Sequence, residues 1–333
     1  MPQEPKPIRV ALIGAGGIAR SHARAYAAQP ERCRLVAVAD IAAGKADNLA
    51  AGFRCQAFSD VDAMLEQVHP DAVSVCTPPT AHLSCVRAAV ERGIAVLCEK
   101  PLSHDLRTAG EMVAIAGQAH VLLMTALCHR FHGPMMQLKA MIDAGKLGQP
   151  LHFHNRFAFR FKGVENTWFV VPEISGGGIL IDTLVHSIDL FRYLIGEVSA
   201  VSAHVSTTLP IAVEDSAVVM LRSVGGASGV CSCSWVSPPG QAVVQVFGSE
   251  GTATIDYNSS GAQLCYRTAG DSDWVTVPYD GPDRFVNETA HFLECVAEGK
   301  HPRVDGSEGA RVIAIIDAAY RAAANGTVEP VQA

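Results

Sequence analysis

The sequence predicts an α/β fold: an N-terminal doubly wound parallel sheet, then an α+β domain with a large, mostly antiparallel open sheet. In the first 127 or so residues, β-like runs that are apolar throughout alternate with helix-like segments, which is typical of a parallel sheet covered on both faces. From about residue 148 the β-like runs become longer and more polar, with glycine-rich turns between neighbours. The length of 333 residues fits two domains better than one.

The elements of the first part, residues 1–127, follow one another in regular order. Its β-like runs are 8–13, 34–39, 72–76, 94–98 and 120–126. Its helix-like segments are 17–28, 43–52, 60–67, 80–92 and 104–118. This alternation predicts a dinucleotide-binding type of domain, with ligands at the carboxyl ends of the strands.

The second part, residues 128–333, is expected to hold the substrate and to form oligomers. Its β-like runs are 150–160, 199–208, 215–222, 227–236, 242–247, 251–257, 261–267 and 273–279. Its helix-like segments are 133–143, 178–195, 284–298 and 306–324. Asp305 is the candidate N-cap of the last helix, which is also a candidate to pack back near the first domain.

Composition limits the classes of partner and location. The formal net charge is −7 at pH 7, and no basic block offsets it, so nucleic acid is not an expected partner. No apolar run approaches the roughly 18–20 residues that a membrane span needs, and the N-terminus has no apolar signal core. The ten cysteines are scattered and include no CxxC pair, which predicts reduced thiols in a cytoplasmic protein.

The stretch that follows the first β-like run is a glycine turn, "GAGGIA". Gly14 permits a tight turn, Gly16 lets the backbone approach a pyrophosphate, and Ala19 allows close packing of helix and strand. The free amides at the start of the helix then face the phosphates. The residues expected to bind the dinucleotide here are Gly14, Gly16, Gly17, Ile18 and Ala19.

An acid closes the next β-like run, "LVAVAD". Asp40 would accept hydrogen bonds from the adenosine ribose hydroxyls and repel a 2′-phosphate. Ile41 and Ala42 follow, so no arginine is present to neutralise such a phosphate. This favours NAD over NADP. The alternative is that Asp40 is the N-cap of the following helix.

Two further strand ends fit a cofactor site, because ligands of open α/β sheets bind beyond the carboxyl ends of the strands. In "CTPPTAH" and "CEKPL", the residues expected to line the dinucleotide are Thr77, Pro78, Pro79, His82, Glu99 and Lys100. The alternative for the first segment is that its prolines stop the strand while Thr80 caps the next helix.

Taken in order, several segments resemble the Gfo/Idh/MocA oxidoreductases, the relatives of glucose–fructose oxidoreductase and inositol dehydrogenase. These segments are "GAGGIA", "CTPPTAH", "CEKPL", "GGGILIDTLVHSIDL", "VFGSEGTATID" and "VDGSEGARVIAIIDAAYRAAANG". The resemblance covers nearly the whole chain. It implies an N-terminal Rossmann domain, a C-terminal domain with a large open sheet, and a homodimer or homotetramer formed through that sheet.

The resemblance also implies roles for single residues. Lys100 matches the active-site lysine of the family, and Asp182 and His186 match its aspartate and histidine. Arg130, in "CHRFHG", matches a family "xRF" region and is a candidate to bind the cofactor. The chain departs from many members at Leu184, where they have glycine.

The three matched residues suit the oxidation of a secondary alcohol. Asp182 and His186 are four apart in a segment of helical apolar spacing, so both are expected on one face of a single helix. A histidine side chain in general titrates near neutral pH, so His186 suits a general base. Lys100 would stabilise the developing alkoxide, and Asp182 would bind a neighbouring hydroxyl or orient His186. The alternatives are a core histidine and a first-turn acid that faces the helix dipole.

We therefore expect an NAD-dependent oxidoreductase that moves hydride between a sugar, cyclitol or polyol and nicotinamide. Two alternatives stay open: an NAD-dependent glycosidase with no net redox change, and a dinucleotide-sensing regulator. A metal site is a further alternative, since His152 and His154 share a strand face and His129 and His132 are close in sequence. Nothing in the sequence brings three or four such ligands together, so no metal is expected.

Overall fold

The computed structural model describes residues 6–258 and 263–331, which form two compact units. The first unit comprises the described residues through Cys128 together with Asp283–Ala310, and the second comprises His129–Pro282 and the described residues from Arg311 onward. The sequence assigned 283–310 to the second domain. The structure groups it with the first, because the helix Arg284–Glu298 packs against the helix Gly17–Ala27. The side chain of Gln29 also donates to Thr289 Oγ1 at 2.9 Å.

The first unit is built on a six-stranded parallel sheet. Its strands are β1 (Ile8–Ile13), β2 (Cys33–Ala39), β3 (Gln56–Phe58), β4 (Ala72–Val75), β5 (Ala95–Glu99) and β6 (Leu123–Ala126). Its helices include α1 (Gly17–Ala27), α2 (Ala43–Phe53), α3 (Val61–Val68), α4 (His82–Val90) and α5 (Leu106–Ala119). The strand order is β3-β2-β1-β4-β5-β6, and every neighbouring pair is parallel. The predicted doubly wound sheet is confirmed.

The central strands of this sheet are apolar on both faces because helices cover both. All four residues of β4 are fully buried, and so are Val10, Ala11 and Leu12 of β1. The short edge strand β3 was missed from the sequence. Its residues Gln56 and Ala57 are exposed, so no buried apolar run marks it.

The second unit is built on a nine-stranded sheet. Its helices are α6 (Gly133–Asp143), α7 (Pro172–Ser175), α8 (Ile179–Asp182) and α9 (Leu184–Leu194). Helix α10 (Arg284–Glu298) belongs to the first unit, and α11 (Gly306–Asn325) begins in the first unit and continues into the second. Its strands are β7 (Pro150–Arg160), β8 (Val198–Ser206), β9 (Ser216–Ser223), β10 (Ser228–Ser234), β11 (Val236–Gly248), β12 (Gly251–Asp256), β13 (Leu264–Thr268), β14 (Val275–Val277) and β15 (Glu329–Pro330).

The order of this second sheet is β14-β13-β12-β11-β7-β10-β9-β8-β15. Among the described strands of this second sheet, only the β7–β10 pair is parallel, so the predicted, mostly antiparallel sheet is confirmed. Residues 261 and 262 of the predicted run 261–267 lie outside the described residues. Asp305 caps α11 as predicted, since its Oδ1 accepts from Glu308 N at 2.9 Å.

The single helix predicted over 178–195 is wrong. The structure has two helices here, α8 and α9, which break at Thr183, and the segments Pro172–Asp182 and Leu184–Leu194 are bent by 47°. At the break the amide of His186 bonds to the carbonyl of Thr183, three residues back, at 3.2 Å. The hydroxyl of Thr183 donates to Asp182 Oδ2 at 3.0 Å. Apolar spacing carries no signal for such a break, because both helices keep their apolar side chains buried.

Two chain-wide expectations can also be compared with the structure. Of the described helices, none is by itself long and apolar enough to cross a membrane; the bent pair 172–182 and 184–194 reaches that length and composition only together. All ten cysteines are free thiols, and eight of them are buried. Burial raises the pKa of these thiols, for example to about 12 at Cys33, so that they stay protonated near neutral pH.

Candidate active site

The glycine turn joins β1 to α1 at a very close approach of two strands. Gly14 has φ +97°, and a Cβ there would lie 2.7 Å from the carbonyl oxygen of Cys76 at the end of β4. Its amide donates to the carbonyl of Ala39 at the end of β2, at 2.7 Å. Only glycine combines this backbone angle with this contact. The turn is therefore fixed against the ends of both neighbouring strands.

The start of α1 has the properties of a phosphate site. Among the described residues no side chain caps this helix, and its first turn carries no acid. A Cβ built on Gly16 or Gly17 would meet nothing within 4 Å, so the protein itself does not require glycine at these two positions. Open space next to uncapped amides is what a pyrophosphate needs. These residues thus fit a dinucleotide.

Asp40 belongs to the same turn. Its Oδ2 accepts from the amide of Ala15, and its Oδ1 accepts from the amide of Ala42, both at 2.8 Å. The N-cap of α2 is Ala42, so the alternative of Asp40 as a helix cap is wrong. The side chain of Ile41 beside it is 96% exposed, an apolar surface that the sequence did not single out.

In the segment after β4, Thr80 does not cap the next helix, and His82 is buried. A 3-10 turn begins at Pro79, and α4 begins at His82 with Ala81 as N-cap, so Thr80 is not the cap. Thr77 and Pro78 are half-buried, whereas Pro79 is buried. The ring of His82 is fully buried, with Nε2 2.9 Å from the carbonyl of Thr77 and Nδ1 3.1 Å from that of Leu102.

His82 lies between two loops of the first unit, and its contact with the dinucleotide stays a prediction. The two ring nitrogens lie beside carbonyls of the loops that follow β4 and β5, and the neutral ring donates to one of them. Burial lowers the pKa of His82, with the two carbonyls opposing that shift.

Glu99 is the last residue of β5, and Lys100 follows it. The two side chains lie in different surroundings. Glu99 is buried, with Oε1 2.8 Å from His22 Nε2 and Oε2 accepting from the amide of Lys100 at 3.0 Å. Its carboxylate thus holds protein groups, and a contact of Glu99 with the cofactor stays a prediction. Lys100 is half-buried at the carboxyl end of the strand, and its peptide bond to Pro101 is cis.

In the second unit, Asp182 and His186 stand out by exposure. Asp182 ends α8 and His186 lies in the first turn of α9. Both are half-buried, whereas Ile181, Thr183 and Val185, which adjoin them, are buried. Together with Tyr193, these two polar side chains are the accessible ones in an otherwise buried helix pair.

A second buried acid fixes the glycine run that leads into α8. Glu214 Oε1 accepts from the amides of Gly178 and Leu180 at 2.9 and 3.0 Å, and from the hydroxyl of Tyr320 at 2.8 Å. Its backbone carbonyl accepts from the amide of Ile179 at 3.0 Å. Burial, with the charge of Glu214, raises the pKa of Tyr320, which keeps its phenol a donor.

His129, which lies beside His186, and its partner Tyr257 were not assigned to the site from the sequence. The ring of His129 lies 4.4 Å from that of His186 between centroids, and its Nδ1 is 3.0 Å from the hydroxyl of Tyr257. His132 in turn stacks on Tyr257 at 4.6 Å. The only sequence signal was the pair of histidines in "CHRFHG", which had been weighed only as metal ligands.

Arg130 makes a buried two-pronged ion pair. Its Nε lies 2.9 and 3.0 Å from the two carboxylate oxygens of Asp189, and its Nη2 lies 2.6 Å from Oδ1. Its guanidinium also lies over the ring of Tyr193 at 5.3 Å. The geometry ties the segment after β6 to α9. A contact of Arg130 with the cofactor stays a prediction.

Comparison with known proteins identifies the family. Residues 8–127 match the oxidoreductase family with an NAD-binding Rossmann fold, and residues 135–254 match the GFO/IDH/MocA C-terminal domain. The two matches together cover more than half of the chain. The chain belongs to the Gfo/Idh/MocA oxidoreductase family. The resemblance found in its motifs is confirmed, and the chain is an oxidoreductase with an NAD-binding domain.

Several relatives are similar over most of their length. The D-apiose dehydrogenase of Paraburkholderia graminis is 29% identical, covering 97% of this chain and 90% of its own. The scyllo-inositol 2-dehydrogenase (NAD(+)) of Bacillus subtilis is 30% identical, covering 89% and 88%. Among solved structures, a levoglucosan dehydrogenase in complex with NADH superposes with a TM-score of 0.93 at 25% identity, covering 98% of this chain and all of that one.

Alanine substitutions in the glycine turn separate its two tasks. We expect Gly14→Ala to destabilise the first unit, because its Cβ would collide with the Cys76 carbonyl at a positive φ. We expect Gly16→Ala to keep the melting temperature but to weaken NAD binding about tenfold or more, because it fills the space of a pyrophosphate. Gly110→Ala in α5, which also meets nothing within 4 Å, is the matched control. Calorimetry of NAD binding that is unchanged for Gly16→Ala would contradict this assignment.

Proposed function

We propose that this oxidoreductase is an NAD-dependent dehydrogenase acting on a secondary alcohol of a sugar, cyclitol or polyol. One observation carries the proposal. Lys100, a half-buried cation, directly follows β5 at the carboxyl edge of the parallel sheet, the edge at which the uncapped start of α1 also lies. A fixed cation at the dinucleotide edge suits a developing alkoxide.

Each residue has one part in the proposed reaction. The bound NAD supplies the hydride acceptor, and Gly14, Gly16 and the amides that follow hold its pyrophosphate. His186 accepts the hydroxyl proton as general base. Lys100 stabilises the alkoxide, and Asp182 binds a neighbouring hydroxyl and so orients the sugar ring. The half-exposure of Asp182 and His186 supports these two roles.

The names of relatives support the substrate class. They are dehydrogenases of D-apiose and scyllo-inositol, and one is a D-xylose 1-dehydrogenase (NADP(+)) of Haloferax volcanii, 30% identical over 81% of this chain and 83% of its own. All three act on compounds with several hydroxyl groups. We infer the same class here, without choosing one member of it.

The choice of NAD rests on Asp40. Its carboxylate is held at the glycine turn by two backbone amides, where it would meet the ribose hydroxyls and repel a 2′-phosphate. No arginine follows it; the exposed Ile41 stands there instead. NADP is thus disfavoured on charge.

Substitution of Lys100 tests the mechanism. In a panel of sugars and inositols monitored by NADH absorbance, we expect Lys100→Met to lower kcat by about 100-fold or more while NAD binding stays within about threefold. Lys300→Met is the control, since Lys300 pairs with Glu294 and Glu298 on the exposed surface. Unchanged kcat for Lys100→Met would remove Lys100 from the mechanism. Cleavage of a nitrophenyl glycoside without NADH accumulation would favour the glycosidase alternative.

We also propose that the chain forms a homodimer or homotetramer through the open face of the nine-stranded sheet, in the cytoplasm. The apolar side chains Val218 and Met220 of β9 and Val230 of β10 are 43%, 56% and 38% exposed. Met220 and Val230 are register partners, so they lie side by side on that face. Contiguous exposed apolar surface of this kind marks an interface.

Size-exclusion chromatography with light scattering tests the interface. We expect Met220→Lys to shift the protein toward the monomer, because it places a charge in an apolar contact. Val224→Lys is the control, as this exposed valine lies in the turn after β9. A wild-type monomer at micromolar concentration would contradict the proposal.

A further inference from the structure

A buried chain of hydrogen bonds in the first unit ends at the backbone of Lys100. The hydroxyl of Tyr26 lies 2.7 Å from Ser74 Oγ, which lies 3.3 Å from His22 Nδ1. His22 Nε2 lies 2.8 Å from Glu99 Oε1, and Glu99 Oε2 accepts from the amide of Lys100 at 3.0 Å. The most exposed of the four side chains, Glu99, is only 6% exposed.

One arrangement of protons satisfies every link of this chain. Tyr26 donates to Ser74, Ser74 donates to Nδ1 of His22, and Nε2–H of His22 donates to Glu99. Burial raises the pKa of Tyr26 well above its ordinary value, with the Ser74 bond opposing that shift, so the phenol stays a donor. Each oxygen of the buried carboxylate then receives one donor, the imidazole on one side and the Lys100 amide on the other.

The chain connects three elements that meet at the cofactor edge. His22 and Tyr26 are four residues apart on α1, the helix that begins at the glycine turn. Ser74 lies in β4, and Glu99 is the last residue of β5. None of these four side chains is available to a substrate, since all are buried inside the unit. Together their hydrogen bonds orient one peptide group, the one between Glu99 and Lys100.

We propose that His22 is a positioning residue for Lys100, acting through Glu99. The inference rests on the proposed function, in which the Lys100 ammonium stabilises the alkoxide. Without the imidazole donor, the buried carboxylate would turn toward another donor or toward water. The Lys100 amide would then lose its fixed acceptor, and the direction of its side chain would change. Displacement of a catalytic group by about 1 Å can cost 100-fold in rate.

Two substitutions at His22 separate positioning from simple packing. His22→Gln keeps the pattern, because its amide N–H can donate to Glu99 while its carbonyl accepts from Ser74. We expect kcat within about threefold of wild type for His22→Gln and a loss of about 10- to 100-fold for His22→Leu, with KM and NAD affinity little changed in both. Equal kcat values for the two folded variants would overturn the proposal.

A measurement independent of activity follows the Lys100 amide itself. Hydrogen exchange of the peptide around residues 96–104, in the protein without substrate, should accelerate in His22→Leu and stay as in wild type in His22→Gln. Should His22→Leu fail to fold, Ser74→Ala decides, because it removes the donor to Nδ1 and leaves no buried charge alone. We expect faster exchange and a kcat loss of about 3- to 10-fold for Ser74→Ala. An exchange rate and a kcat that both equal those of the wild type would overturn the proposal.

The outcomes distinguish this inference from the proposed function. A wild-type protein without turnover on any sugar or inositol would contradict the proposed function, whatever the exchange data show. Turnover that depends on Lys100 but not on His22 or Ser74 would contradict the positioning role alone.

Discussion

The close approach of Gly14 to the carbonyl of Cys76 is the constraint on which the first unit depends. A Cβ at this position would stand 2.7 Å from that oxygen, so β1 and β4 can lie side by side at their ends only with glycine here. The turn sets where α1 begins. That in turn places His22 and Tyr26 over Ser74 and brings His22 to Glu99. The cofactor turn and the strand end that carries Lys100 are therefore parts of one packed structure.

Each unit contains a buried glutamate whose carboxylate accepts hydrogen bonds from backbone amides. Glu99 accepts from the amide of Lys100, and Glu214 accepts from the amides of Gly178 and Leu180 that precede Asp182. Each carboxylate has a further donor, His22 or Tyr320, that fixes its orientation. Hydrogen bonds to a charged acceptor are stronger than neutral ones, so each carboxylate holds its backbone segment firmly.

Much of the fold followed from the sequence because its signals are local. The glycine turn and the uniformly apolar strands owe their patterns to nearby backbone geometry and burial. The break at Thr183 did not follow, because both helices bury the same apolar face and periodicity continues through the break. The association of Arg284–Glu298 with the first unit depends on contacts with α1, more than 250 residues earlier, which no local pattern encodes.

Within the candidate site, the sequence identified polar residues at strand ends but did not indicate which groups they contact. His82 and Glu99 were expected at the dinucleotide because polar residues at strand ends face ligands, yet both are buried and bonded to protein groups. A polar side chain at a strand end can satisfy a ligand or a neighbouring loop, and the choice depends on its rotamer and on distant residues. His129 and Tyr257, which lie against each other, are far apart in sequence and were missed for the same reason.

We propose above that Lys100 and His186 both act in the alcohol oxidation. A double-mutant cycle tests it most directly: kcat is measured for Lys100→Met, His186→Asn and the double variant on one accepted sugar. If both groups act on the same transition state, the double variant should lose at most about tenfold more than the worse single variant. A double variant whose loss equals the product of the two single losses would show that the residues act independently, and would contradict the account.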